Sequence, residues 1–228
     1  MSIALDTTQT VWDASDHTFA EVWTNSITIG SGANRILVAM VNTTGDIPTA
    51  VSLDGTTALT MVTGSNITDG TGSNSSLWYL INPPSGSHTI TVTSGQQNGT
   101  AILSSWTGVN QTTPFGTLVE NTVVTAASDT LSVTGTTGSV LLDFMAQVWN
   151  DTQADPAAGQ TRLGDVDAGG SLGPSAKVNA SYKAATSGSM TMAPSSGGIS
   201  GPHIGIALMP ATGGAANPFY YQQSQGWI

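Results

Sequence analysis

The sequence predicts an all-β protein, an antiparallel β-sandwich or jelly roll of about twelve strands with a C-terminal extended arm. Three observations predict it. Period-two alternation runs through short segments rich in Val, Ile, Thr and aromatic residues. Turn-forming residues separate those segments at short intervals. Helical stripes at i, i+3, i+4 and i+7 are almost absent, and Gly, Pro, Ser, Thr and Asn recur too often for long helices.

Taken in order, the expected strands are Thr18–Ile29, Arg35–Thr43, Ala50–Leu53, Ala58–Val62, Ser76–Ile81, Ser87–Thr93, Ala101–Trp106, Thr130–Val133, Val140–Trp149, Gln160–Leu163, Lys177–Ala184, Met190–Met192 and Ile204–Met209. Ser87–Thr93 shows the pattern most plainly: Ile90 and Val92 fall on one face, Thr89, Thr91 and Thr93 on the other. Arg35–Val41 and Val140–Val148 are apolar on both parities and are expected mid-sheet. Asp54-Gly55, Asp69-Gly70, Asn98-Gly99 and Asp167-Ala168-Gly169-Gly170 suit turns that need positive φ, and Asn82-Pro83-Pro84-Ser85-Gly86 makes a stiff corner. No charge shift, linker or internal repeat divides residues 1–210, which read as one domain. Residues 211–228 read as a flexible aromatic arm carrying Phe219, Tyr220, Tyr221 and Trp227. Aromatic termini are unusual unless something ties them down, so the arm either packs back on its own sandwich or docks on a neighbouring subunit.

Composition removes several classes. Only 8% of the 228 residues are charged, with a formal net charge of -10, against roughly a quarter in ordinary soluble proteins. The 26 Ser, 34 Thr and 27 Gly make up more than a third of the chain, so hydroxyls and exposed backbone carry its solubility. Four basic residues, Arg35, Arg162, Lys177 and Lys183, cannot neutralise a run of phosphates or an anionic membrane, so no nucleic acid and no membrane partner is expected. No apolar run approaches the roughly 20 residues of a spanning helix. The start, Met1-Ser2-Ile3-Ala4-Leu5-Asp6, has neither a basic region nor an apolar core, so no secretion signal is expected. Zero cysteines remove disulfides and thiolate chemistry. A mean hydropathy of +0.05 is that of a folding chain.

No catalytic, cofactor or metal site is expected. His17, His88 and His203 are far apart, and no Gly-x-Ser-x-Gly elbow occurs. His88 and His203 are expected at strand starts, in edge or capping roles. Asp13 and Asp16, Asp151 and Asp155, and Asp165 and Asp167 share loops, but none has the EF-hand spacing, so solvated turn carboxylates are expected. Among the six tryptophans, Trp78 and Trp106 are expected in the core, while Trp12, Trp23 and Trp149 lie near strand ends or loops where a glycan could stack. Seven Asn-x-Ser/Thr sequons, at Asn42, Asn66, Asn74, Asn98, Asn110, Asn150 and Asn179, are about what such a hydroxyl-rich chain produces by chance.

One stretch resembles a known module. Trp78-Tyr79-Leu80-Ile81-Asn82-Pro83-Pro84-Ser85-Gly86-Ser87-His88-Thr89-Ile90-Thr91-Val92-Thr93 resembles the W-Y-x-x-N-P-P-x-G-x-H-T-(I/V)-x-V core of a loosely defined bacterial and phage β-sandwich module. Asn34–Val38, Trp106–Pro114, Gly138–Asp143, Ala158–Thr161 and the closing Ile204–Pro210 sit where that pattern would place them. The resemblance implies a sandwich over roughly residues 30–210 and a surface, adhesive or virion part without a common catalytic set. The resulting expectation is a non-enzymatic virion structural protein, a capsid decoration or tail/fibre subunit. It would be assembled in the host cytoplasm, exposed on the particle, and contact other virion proteins and itself. Phe219, Tyr220, Tyr221 and Trp227 are its candidate partner contacts. The alternative is a carbohydrate-binding or adhesive module taking a surface glycan on Trp12, Trp23 and Trp149. A jelly-roll glycosidase or lyase would need charged groups gathered in a cleft, and this chain has few basic ones.

Overall fold

The computed structural model describes residues 2–13, 22–69, 73–95, 99–147, 154–167, 177–194 and 198–212. Every regular element among them is a strand. The first half holds β1 (Ala4–Asp13), β2 (Val22–Ile29), β3 (Ile36–Thr44), β4 (Ala50–Leu53), β5 (Thr57–Ala58), β6 (Thr60–Met61), β7 (Ile67–Thr68), β8 (Ser73–Ile81), β9 (Gly86–Thr93) and β10 (Gly99–Thr107). The second half holds β11 (Val119–Ala126), β12 (Asp129–Thr134), β13 (Val140–Gln147), β14 (Ala154–Pro156), β15 (Thr161–Asp167), β16 (Lys177–Ala184), β17 (Ser187–Pro194) and β18 (Ile199–Leu208).

The fold is all-β and antiparallel, as expected, with eighteen strands rather than about twelve. Part of the surplus is the short pieces β5, β6, β7 and β14. The rest is β1 and β11, whose runs Asp6-Thr7-Thr8-Gln9 and Glu120-Asn121-Thr122 are polar on both parities. Both are edge strands, where the ladder needs only one partner and burial demands less of the side chains.

In the first half an inner sheet runs β1-β10-β3-β8-β6, with β7 also on β8, and an outer sheet runs β2-β9-β4-β5. In the second half the inner sheet runs β11-β18-β13-β16-β15 and the outer sheet β12-β17-β14. The chain passes back and forth between the two sheets of each half, which is the exchange of a jelly roll. The two strand orders also coincide. First strand pairs with last, last with third, and the second strand's sheet repeats the same way. The chain is thus two jelly rolls in tandem, a repeat of topology where the sequence pattern suggested none.

The inner sheets pack on each other. Ile36, Val38 and Met40 of β3 share one core with Leu142 and Phe144 of β13 and Ile206 of β18. The alternate residues Leu37, Ala39 and Val41 face the other way, into a core with Trp23, Ile27, Ile90 and Val92 of the first outer sheet. The layers therefore run outer, inner, inner, outer. Both β3 and β13 sit mid-sheet and are buried on both faces, which is why their sequences are apolar on both parities. Each fully buried Ile, Leu or Phe contributes about 1.5–3 kcal/mol. Trp78 and Trp106 lie in these cores as expected, at 7% and 1% exposure. Each indole donates its N–H to the hydroxyl two residues earlier, Ser76 and Ser104, at 2.9 Å, so a large ring is buried without orphaning its polar atom.

Candidate functional site

The second jelly roll carries a polar seam through its interior. On the face of β13 turned to the outer sheet, Leu141 and Met145 belong to two separate apolar clusters, and Asp143 stands between them at 1% exposure. Burying a carboxylate in such a place is costly unless donors surround it. Ser181 on β16, beside Asp143 in the ladder, donates its hydroxyl to Oδ1. Gln160, just before β15, donates its amide to Oδ2 at 3.3 Å and to the Ser181 hydroxyl at 2.7 Å, while its own carbonyl accepts the Thr191 N–H at 2.7 Å.

His203 completes the seam. The sequence suggested a strand start; the residue is instead inside β18 at 0% exposure, because the ladder begins at Ile199 and runs through Gly201-Pro202. Its Nε2 lies 3.3 Å from Asp143 Oδ2 and its Nδ1 lies 2.7 Å from Asp129 Oδ2. Asp129 opens β12 in the outer sheet and also accepts the Asn121 amide at 2.8 Å. Burial would lower the His203 pKa, but hydrogen bonds and charge from Asp129 and Asp143 outweigh it and hold the pKa above the ordinary value. The His203 hydrogen bond leads the causes that hold Asp129 below the usual carboxylate range, against the opposing pull of its partial burial. An imidazolium with a carboxylate at each nitrogen is the state this geometry favours.

That arrangement ties layers together and is not set up for proton transfer to a substrate. Both ring nitrogens are engaged, and Ser181 donates to a carboxylate instead of to the imidazole, so the nucleophile–base contact of a catalytic triad is missing here. Another described histidine, His88, lies on β9 and reaches Asp54 in the turn after β4. Its Nδ1 lies 2.8 Å from Asp54 Oδ2, and Asp54 Oδ1 accepts the Thr89 N–H at 2.9 Å. The Thr89 amide, followed by His88, holds Asp54 below the usual carboxylate range. Among the described residues no cluster of His, Asp and Glu could hold a metal ion. Asp155 and Asp165 both meet Arg162 instead.

The expected glycan residues divide. Trp23 does not face solvent: it lies at 2% exposure in the first-half core, and its ring fills the space above Gly99, where an added Cβ would fall 1.8 Å from Cη2. Its position near a strand end says nothing of which face it takes, and the inward parity decides. Trp12 lies on β1 opposite Ala101. Trp149, Phe219, Tyr220, Tyr221 and Trp227 lie outside the described residues, as does His17. Three sequon residues, Asn42, Asn74 and Asn179, are 4% exposed or less and closed to modification.

An open cleft of about 430 Å³ lies where the chain leaves β18. Asn110, Thr113, Thr136 and Thr137 line it with Met209 and Pro210. Asn110 spends its carbonyl on the N–H groups of Thr112 and Thr113, at 2.9 and 3.1 Å, which fixes the loop shape. Asp143, Gln160, Ser181 and Asp129 were not singled out from the sequence. Asp143 had a readable signal, an acid within the apolar run Val140–Ala146; Asp129 had none, since its partner lies 74 residues away. No family model, curated protein or solved structure matches the chain.

Proposed function

We propose that the protein is a non-enzymatic structural subunit of a phage virion, a capsid decoration or tail/fibre protein that acts through protein–protein contacts. The observation that carries the reading is the four-layer stack of two jelly rolls. Jelly rolls recur in viral capsid and lectin domains, and two of them joined through a shared core make a stiff block. Its outer faces present rows of Ser and Thr, such as Thr24, Ser26 and Thr28 beside Thr91, Thr89 and Ser87. Among the described residues, the buried polar groups Asp129, Asp143, Gln160, Ser181 and His203 are engaged with one another inside the second jelly roll. On this reading the protein assembles in the host cytoplasm and is displayed on the particle, with Phe219, Tyr220, Tyr221 and Trp227 latching a neighbouring subunit. The test is co-sedimentation with purified particles of full-length protein and of a 1–210 truncation. Binding by the full chain and loss on truncation support the reading. Absence of binding by the full chain sinks it, and equal binding by both removes the arm from it.

The cleft favours a second reading, a carbohydrate-binding or adhesive module. Hydroxyls and an amide at Thr113, Thr136, Thr137 and Asn110 in an open cleft match the polar edges of a sugar. A glycan array with full-length protein and with Trp12→Ala, Trp149→Ala and Thr136→Ala variants decides it. A blank array eliminates it.

A further inference from the structure

Four groups of the polar seam stand in the relation that acyl transfer requires, and all four belong to this chain. The nucleophile is the Ser181 hydroxyl, at 0% exposure on β16, which donates to the Asp143 carboxylate on β13. The acyl group is the side-chain amide of Gln160, whose Nε2 donates to Ser181 Oγ at 2.7 Å. The surroundings fix which end of that amide is which. Nε2 faces two acceptors, Ser181 Oγ and Asp143 Oδ2, while Oε1 faces a donor, the Thr191 N–H at 2.7 Å.

Local structure holds the reactants together. Gln160 closes a turn across Gly159, its N–H donating to Ala157 O at 3.1 Å. It comes just before the Thr161↔Tyr182 rung, so its side chain takes the face of β16 that carries Ser181. The amide carbon is one bond of about 1.33 Å beyond Nε2. A small rotation of the amide therefore turns the face of Cδ to Oγ, at the roughly 3–3.5 Å of near-attack geometry.

We propose that Ser181 Oγ attacks Gln160 Cδ, so that the chain forms an ester bond between these two side chains. The Oγ–Cδ bond forms and the Cδ–Nε2 bond breaks. Asp143 accepts the hydroxyl proton at Oδ1, and its carboxyl returns one proton to Nε2, 3.3 Å from Oδ2, which departs as ammonia. The Thr191 N–H holds the charge that develops on Oε1. No co-reactant enters, and one ammonia leaves.

Exchanging an amide for an ester is uphill between free molecules. Fixed orientation offsets this, since well-placed pairs reach effective molarities of about 10⁵–10⁸ M, and released ammonia is diluted away. Ser181 and Asp143 are buried, which keeps water from the ester, while half-buried Gln160 gives ammonia a way out. The product is a covalent staple in a chain without cysteine, joining β16 to the turn before β15. The inference stands apart from the virion and glycan readings.

Intact-mass spectrometry of the purified full chain, with a tryptic map of the denatured protein, tests it. Trypsin separates Gln160 from Ser181 at Arg162 and Lys177, and cuts again after Lys183. The expected mass is about 17 Da below that of the sequence, the ammonia lost in forming the ester. Residues 178–183 are expected on the fragment that ends at Arg162. Ser181→Ala is expected at full mass with the fragments apart, and Asp143→Asn is expected to link at least 10-fold more slowly. Circular dichroism melts establish that the variants fold, and the full chain gives its answer without them. A full chain at its sequence mass, with 178–183 recovered free, overturns the proposal. A deficit that persists in Ser181→Ala also overturns it, because the ammonia then comes from elsewhere, such as Asn98-Gly99. Asp143→Asn linking as fast as the full chain removes Asp143 as the base.

Discussion

His203 Nδ1 lies 2.7 Å from Asp129 Oδ2, and the two atoms belong to different sheets. The second jelly roll is thus fastened across its layers by an ion pair inside the fold, while Leu37, Ala39 and Val41 of the first half meet the outer sheet in an apolar core. A buried pair of this kind adds little over an apolar one when intact, yet removing one partner strands the other.

Stability should therefore fall on the alkaline side. The His203 pKa is raised in the fold, so its contribution is fully present below the ordinary value of 6.5 and is lost as pH climbs through the raised value. The Asp129 pKa is lowered, so its contribution is present above 3.8 and is lost as pH falls through the lowered value. Thermal melts between pH 3 and 10 should show a plateau with a drop at each end, and His203→Gln should lack the alkaline drop. An alkaline drop of equal size in His203→Gln would assign it to another group.

Asp143→Ala should be among the most damaging substitutions in the second half. It removes the acceptor for Ser181 and Gln160 and leaves the imidazolium with one carboxylate. A loss of about 3–5 kcal/mol is expected from breaking a buried pair. Urea unfolding measures it, and a loss below about 1 kcal/mol would show that water takes the place of the carboxylate.

Trp23→Ala should destabilise the fold by about 3–5 kcal/mol, the usual cost of removing a large buried ring. Gly99→Ala should lower stability through the same contact, since its methyl meets the ring from the other side. Both effects should appear without any glycan present. An unchanged urea midpoint in Trp23→Ala would mean that the ring is not packed as described.

Two glycines with positive φ should respond differently. Gly159 has a φ of +88 with nothing within 4 Å of an added Cβ, so alanine there meets only the backbone penalty of about 1–2 kcal/mol. Gly201, with a φ of +131, would place that Cβ 2.2 Å from the Ala146 carbonyl oxygen, and backbone cannot swing away as a side chain can. Gly201→Ala should therefore cost more than Gly159→Ala in denaturant titrations. Equal costs would mean that β13 shifts to accommodate the methyl.

Class, orientation and the central strands were legible because they depend on local patterning. Arg35–Val41 and Val140–Val148 announce burial on both faces, and both proved central. The tandem repeat was not legible, because the halves keep the burial pattern and discard the residues. Ala39 faces Leu103 in the first half, and Asp143 faces Gly205 at the corresponding place in the second. The seam was hidden for a related reason. Its members come from β12, β13, β16, β18 and the approach to β15, and only the folded topology brings them together.

The shared core between the inner sheets also sets an order of events in the cell. At about 5–20 residues per second, the first jelly roll is complete several seconds before the last strand of the second is synthesised. During that interval Ile36, Val38 and Met40 have no second sheet to cover them. The nascent first half is thus a sticky intermediate by construction. Slow synthesis at high expression should favour chaperone capture and inclusion bodies, while cooling, which weakens apolar association, should raise the soluble yield.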